Sequence, residues 1–167
     1  KGGIAVLRDG DLTYLVEELL GEEDNRFNDV IADPTGRVFA GTMALDSDRA
    51  VAGEAFGRLY LIETDGSITK VLDGIGISNG LGFSPDRRLM YYTDSTARNI
   101  YVFDYDAESG DISNQRVFVE TPDGDGMPDG LTVDVYGYVW SARASGSALY
   151  RYTPNGEEER SIRFPAK

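Results

Sequence analysis

Three side chains that can hold a hard cation or take up a proton recur in register along this chain: Asn28, Asn79 and Asp129. They occupy the same point of three segments that align without a gap, FNDVIADPTGRVFAGT (27–42), SNGLGFSPDRRLMYYT (78–93) and PDGLTVDVYGYVWSAR (128–143), offset by 51 and 50 residues. Amide and carboxylate oxygens suit hard cations, and a carboxylate can also take a proton from an attacking water. The competing role is local: Asn and Asp often cap turns or strand starts by bonding the nearby backbone. Recurrence three times in register favours a site over three independent caps.

Composition removes most other chemistries. The chain has neither cysteine nor histidine. Disulfides, thiolate chemistry, Ser-His and Cys-His nucleophilic systems and His-ligated zinc are therefore excluded, and only oxygen ligands remain for a metal. Calcium or magnesium fits that donor set, with manganese and oxygen-bound zinc as alternatives. Acidic side chains number 29 against 16 basic ones, a net charge of −13. Such a surface repels phosphate backbones, so no nucleic-acid partner is expected. Only Lys1, Lys70 and Lys167 among the cations are lysines. An acidic, lysine-poor, arginine-bearing surface suits high salt, where screening weakens self-repulsion, and a halophilic source is the matching expectation. No apolar run approaches the roughly 18 residues of a membrane span, so no membrane partner and a cytoplasmic location are expected.

The elements that must position the three polar residues can be read around them. In each copy an apolar, strand-like stretch follows the polar residue, then a turn (Asp33 to Gly36, Ser84 to Arg87, Asp134 to Gly137), then a second strand. Pro presets a turn torsion and Gly accepts positive φ, which makes the first two turns mechanistically sound. A second half follows, built on Leu59-Tyr60, Ile100-Tyr101 and Leu149-Tyr150, each pair succeeded by a polar turn and a last short strand. Four strands every 50 residues or so is the content of a propeller blade. The expectation is an all-β chain, a partial β-propeller of about three four-stranded blades (26–76, 77–126 and 127–167) after a remnant of a preceding blade (1–25) whose Asp9-Gly10 turn joins two strands. The first copy carries about ten extra residues within Ala44 to Ala55, where a loop on one face of the disc is expected. Propellers close with about four to eight blades, so the remaining blades are expected from a longer parent chain, or else from a second copy. In a blade the innermost strand lines the channel, so equivalent residues of successive blades point toward one another across it.

The runs RFNDVIADPTGRVFAGTM (26–43), ISNGLGFSPDRRLMYYTDS (77–95), PDGLTVDVYGYVW (128–140) and FDYDAESGDISNQRVF (103–118) resemble those of the SMP-30/gluconolactonase family, which includes regucalcin and bacterial sugar lactonases. The resemblance covers nearly the whole chain. It implies a six-bladed propeller with one divalent cation at its axis, calcium first and zinc, magnesium or manganese as alternatives, and hydrolysis of a small sugar lactone. Carried over residue by residue, it implies Asn79 and Asp129 as metal ligands and Arg26 and Asn28 as substrate-binding groups; in the hydrolysis expected from this, Asp129, the candidate catalytic carboxylate, or the metal itself activates the attacking water. The acidic residue after the GTM motif falls on Asp46, a shorter carboxylate than the Glu of regucalcin-like members, and is implied as a further substrate contact. The family's glutamate ligand comes from a blade not represented here; Glu17, Glu18, Glu22 and Glu23 do not lie in its motif.

Two readings from other classes stand beside lactone hydrolysis: a hydrolase of phosphotriester-like substrates on the same architecture, and a non-catalytic propeller for calcium handling or protein binding. The remaining acidic clusters are read as structural. Asp104, Asp106 and Glu108 precede Gly110 at the wrong spacing for a calcium loop, with Gln115 where such a loop needs Glu, and are read as a hairpin turn. Asp123 and Asp125 lie in a glycine-rich connection that leads to Asp129. Trp140 and the tyrosines alternate along strands and are read as packing between blades.

Overall fold

The structure is a computed structural model that describes residues 3–52 and 57–165. Lys1 and Gly2 of the expected remnant, residues 53–56 at the end of the expected insertion, and 166–167 lie outside the described residues. Fourteen strands and one short helix follow in chain order among those described. A two-stranded hairpin of β1 (Ile4–Arg8) and β2 (Asp11–Val16) comes first. Three four-stranded antiparallel sheets follow: β3 (Asn25–Ala32), β4 (Val38–Ala44), β5 (Gly57–Ile62) and β6 (Ile68–Ile75); β7 (Ser78–Phe83), β8 (Leu89–Asp94), β9 (Asn99–Tyr105) and β10 (Ile112–Glu120); then β11 (Met127–Val133), β12 (Val139–Ala144), β13 (Ala148–Tyr152) and β14 (Glu158–Arg163). Within every sheet sequential strands are neighbours. That order needs only hairpin connections, and the hairpin chemistry is visible: Gly36, Arg87 and Gly137 donate back to Asp33, Ser84 and Asp134 to close the first turn of each sheet.

Alternation along the strands places the core between sheets. Phe39, Leu59 and Leu61 of the first sheet meet Leu81, Met90, Tyr92, Phe103 and Tyr105 of the second. On the other side of the second sheet, Tyr91, Ile100 and Val102 meet Val139, Tyr150 and Tyr152 of the third. The central strand β8 is therefore buried on both faces, with Met90, Tyr91 and Tyr92 each at most 1% exposed. Ile4 and Val16 of the hairpin cover Ala40 and Ile62 of the first sheet in the same manner. Each sheet is thus one blade that buries its apolar faces only by stacking on neighbours. Trp140 stands apart from the buried tyrosines: with Leu149 and Ile162 it lines an open hollow on the outer face of the third blade, and Arg151 stacks over its ring at 5.3 Å.

The insertion contains a turn of helix, α1 (Ser47–Val51), where a loop was expected. Asp46 is its N-cap, and Ala50 is fully buried against Met43, Ala44 and Ile77. Because β3 begins at Asn25 opposite the last residue of β4, Ala44, the insertion emerges at the same end of the blade as Arg26 and Asn28.

Candidate active site

Each inner strand has one residue too many where the recurrent polar residue sits. Phe27 pairs with Thr42 and Asp29 with Gly41, so Asn28 is left out of the ladder. Asn79 pairs with Thr93 and Leu81 with Tyr92, which leaves out Gly80. Pro128 pairs with Arg143 and Leu131 with Ser141, so Asp129 and Gly130 together oppose Ala142. A bulge of this kind bends the strand and re-aims a side chain out of the regular pleat.

The inner strands lie side by side. Asn28 Nδ2 donates to the carbonyl of Ser78 at 2.8 Å, tying β3 to β7 one residue from Asn79. A Cβ at Gly80 would lie 2.5 Å from the carbonyl oxygen of Asp129 and 2.6 Å from the amide nitrogen of Leu131. Only a residue without a side chain lets β7 and β11 approach this closely. Gly80→Ala should therefore force the two strands apart and cost about 1–3 kcal/mol, as overpacking does. That corresponds to a fall in Tm of roughly 2–4 °C per kcal/mol in thermal unfolding; an unchanged Tm would show that the strands do not touch here.

The five residues singled out in the sequence fall into two groups. Arg26, Asn28, Asn79 and Asp129 are half-buried and gather where the inner strands begin. Arg26 Nη1 donates to Asn28 Oδ1 at 2.8 Å and to the Phe27 carbonyl at 3.0 Å, so Asn28 is held at both ends of its amide. Asn79 Nδ2 donates to Ser95 Oγ at 3.1 Å, which turns its Oδ1 the other way, and that oxygen accepts no hydrogen bond among the described residues. The Asp129 carboxylate has no hydrogen bond or ion pair among the described residues either, although it is only half exposed to water. Asp46 is exposed at the same end of the first blade, and its Oδ1 accepts from the amides of Asp48 at 3.0 Å and Arg49 at 3.4 Å.

A free amide oxygen and an unpaired carboxylate on adjacent inner strands are the donor chemistry a hard cation takes. Among the described residues no three His, Cys, Asp or Glu side chains gather into a metal cluster. Asn79 and Asp129 thus fit as two ligands of a cation rather than as a complete set.

The sequence reading passed over the residues behind the site. Glu22 is 7% exposed. Its carboxylate accepts from Asn25 Nδ2 and from the Tyr60 hydroxyl, both at 2.6 Å, and pairs with Arg58. Burial pushes the Glu22 carboxyl up, but the bonds from Tyr60, Asn25 and Arg58 more than reverse this and hold it below its ordinary value. It is an ionised anchor at the entry to β3, beside a cavity of ≈ 170 Å³ lined also by Arg26, Phe27 and Thr42. Asp94 also lies behind the site: 4% exposed, its side chain accepts from the amides of Gly76 and Ile77 before β7 and from those of Thr96 and Ala97 after β8. One signal for it was legible, since Asp94 stands where the other copies carry apolar Met43 and Ala144.

Four-stranded sheets stacked face to face, with adjacent bulged inner strands that carry amide and carboxylate groups where they begin, define part of a β-propeller with a polar site at the inner-strand ends. The chain belongs to the SMP-30/gluconolactonase/LRE-like family, whose model matches residues 1–167. It is 44% identical over 158 residues to the pentonolactonase XacC of Haloferax volcanii, an alignment that covers 95% of this chain and 51% of that protein. Among solved structures, a luciferin-regenerating enzyme superposes with a TM-score of 0.87 at 32% identity, covering 98% of this chain and 56% of the other. A calcium-binding protein, regucalcin, from Agrobacterium tumefaciens superposes with a TM-score of 0.83 at 29% identity, covering 95% and 52%. The chain spans about half the length of the relatives it matches.

Proposed function

We propose that the polypeptide carrying this chain hydrolyses sugar lactones at the site formed by Arg26, Asn28, Asn79 and Asp129. The observation that carries this reading is that the unpaired Asp129 carboxylate and the free amide oxygen of Asn79 stand on adjacent inner strands whose backbones close on each other at Gly80, in a chain 44% identical to a protein named pentonolactonase. A divalent cation, calcium first with zinc, magnesium or manganese as alternatives, is proposed on Asn79 Oδ1 and Asp129, where it would supply positive charge to a lactone carbonyl oxygen. Asp129 accepts the proton of the attacking water as its oxygen adds to the carbonyl carbon. The ring C–O bond then breaks, and the former ring oxygen takes the proton back from Asp129 and leaves as a hydroxyl of the open hydroxy acid. The planar fork of Arg26 offers donors to substrate oxygens, and the amide of Asn28, already oriented, fixes where that fork points. Asp46, whose cap uses one oxygen, presents the other at the rim and is the proposed further contact to a sugar hydroxyl.

The test is acid release from a panel of pentono- and hexonolactones by the full polypeptide, before and after chelation. Turnover that is lost with EDTA and restored by calcium is expected. Turnover of a phosphotriester but of no lactone would move the assignment to that substrate class. Calcium binding without turnover of either would leave a non-catalytic propeller.

A further inference from the structure

The loop between β8 and β9 touches both strands that carry the candidate ligands. At its start, Asp94 bonds the amides of Gly76 and Ile77, at 3.2 and 3.4 Å, and so fixes the chain entering β7. Next, Ser95 is 3% exposed; its amide donates to the Ile77 carbonyl at 3.1 Å, and its Oγ accepts the Asn79 amide group. At its end, Arg98 reaches across to the connector that leads into β11. Its Nε donates to the Thr121 carbonyl at 3.0 Å and its Nη2 to the Gly126 carbonyl at 2.8 Å, with a further bond to the Pro122 carbonyl. One guanidinium therefore grips both ends of the connector that ends three residues before Asp129. The same Asp94 side chain bonds Thr96 and Ala97, so the loop that presents Arg98 is itself held.

We propose that the loop Asp94 to Arg98 is a brace that sets Asn79 and Asp129 relative to each other, with Ser95 orienting the Asn79 amide and Arg98 locating the Asp129 connector. Neither Ser95 nor Arg98 is assigned a contact with substrate; both are positioning residues. The inference rests on the reading of Asn79 and Asp129 as ligands. Groups that orient metal ligands from behind typically contribute a factor of about 10–100 in metal affinity.

Arg98 has φ 59°, a conformation that glycine adopts without strain. Arg98→Gly thus removes the guanidinium while sparing the backbone. In the full polypeptide, hydrogen exchange should rise about tenfold at the amides of Gly124 to Leu131 and stay unchanged in β3 to β6. Calcium affinity by titration calorimetry should fall about 10- to 100-fold. Ser95→Ala should weaken calcium binding about tenfold without altering exchange in the connector, and Ser95→Thr, which keeps the hydroxyl, should recover it. Unchanged exchange in Arg98→Gly would overturn the brace. Faster exchange with wild-type calcium affinity would make the loop a structural tie only, and would overturn it too. Wild-type protein that binds no divalent cation would instead remove the reading of Asn79 and Asp129 as ligands, and this inference with it.

Discussion

Asp129→Asn in the full polypeptide should lower kcat for lactone hydrolysis by about a thousand-fold, within the range that a positioned general base contributes. The substitution keeps the size of the side chain and one oxygen donor. It removes the negative charge and the ability to take a proton from water. The carboxylate is the one to lose because it is uncommitted: half-buried on the bulge of β11, it bonds to nothing else among the described residues. By contrast, Asp33, Asp94 and Asp134 are each tied to several donors. Steady-state kinetics with the best lactone of the panel decide the matter. Near-wild-type kcat in Asp129→Asn, with the protein folded, would remove Asp129 from the proposed chemistry. Stability should change little, since no hydrogen bond of the described residues is lost.

Asp33→Ala should have the largest effect on folding. The Asp33 side chain closes the β3–β4 turn by accepting from the amides of Thr35 and Arg37 at 2.8 and 2.9 Å. It also accepts the Tyr105 hydroxyl from the second blade at 2.7 Å and pairs with Arg37 at 3.6 Å. Arg37 in turn donates to the carbonyls of Ala107 and Glu108, so the pair fastens the first blade to the second. Removing the carboxylate leaves the buried Arg37 guanidinium with the partly exposed Glu63, at 3.5 Å, as its counter-charge and strips the turn amides and the Tyr105 hydroxyl of their acceptor, a loss of about 3–5 kcal/mol. At roughly 2–4 °C per kcal/mol this lowers Tm by about 10 °C. The effect has a pH signature. Burial pushes the Asp33 carboxyl up, but the bonds from Tyr105, Thr35 and the backbone of Thr35 and Arg37 outweigh it and hold the group below its ordinary value of 3.8. A depressed carboxyl stabilises the fold in full above the unfolded value, and that contribution is lost as pH falls through the lower folded value. The Tm gap between wild type and Asp33→Ala should therefore be constant from neutral pH down to about pH 5 and narrow below the ordinary carboxylate range near ~3.9. A gap that stayed open at low pH would mean that the loss comes from packing rather than charge.

The hairpins were legible in the sequence because their causes are local. Asp33-Pro34-Thr35-Gly36 and Ser84-Pro85-Asp86-Arg87 turn the chain through their own torsions and short side-chain bonds. The strands between them show their burial as an alternation of period two, and the repeat of about 50 residues then gives the blade. Asn28, Asn79 and Asp129 were found by recurrence and Arg26 through the family resemblance, and the structure gathers these four where the inner strands begin. Asp46 was read by position in a motif; the structure adds that it caps a one-turn helix, which depends on Ala50 finding Met43 and Ile77 and leaves no signature in the short stretch itself.

By itself, then, the sequence determined the strand content, the blade period, the stacking mode and the recurrence of Asn28, Asn79 and Asp129 at one point of each blade, all consequences of side-chain alternation, turn torsions and repetition. Only the tertiary structure decided what their side-chain oxygens do with their free valences. The bulges at Asn28, Gly80 and Asp129, the turning of Asn79 by Ser95, and the grip of Arg98 on a carbonyl 28 residues away all join segments from different strands or different blades. Such contacts form because packed sheets fix the distance between chains remote in sequence, a condition that no local pattern of residues encodes.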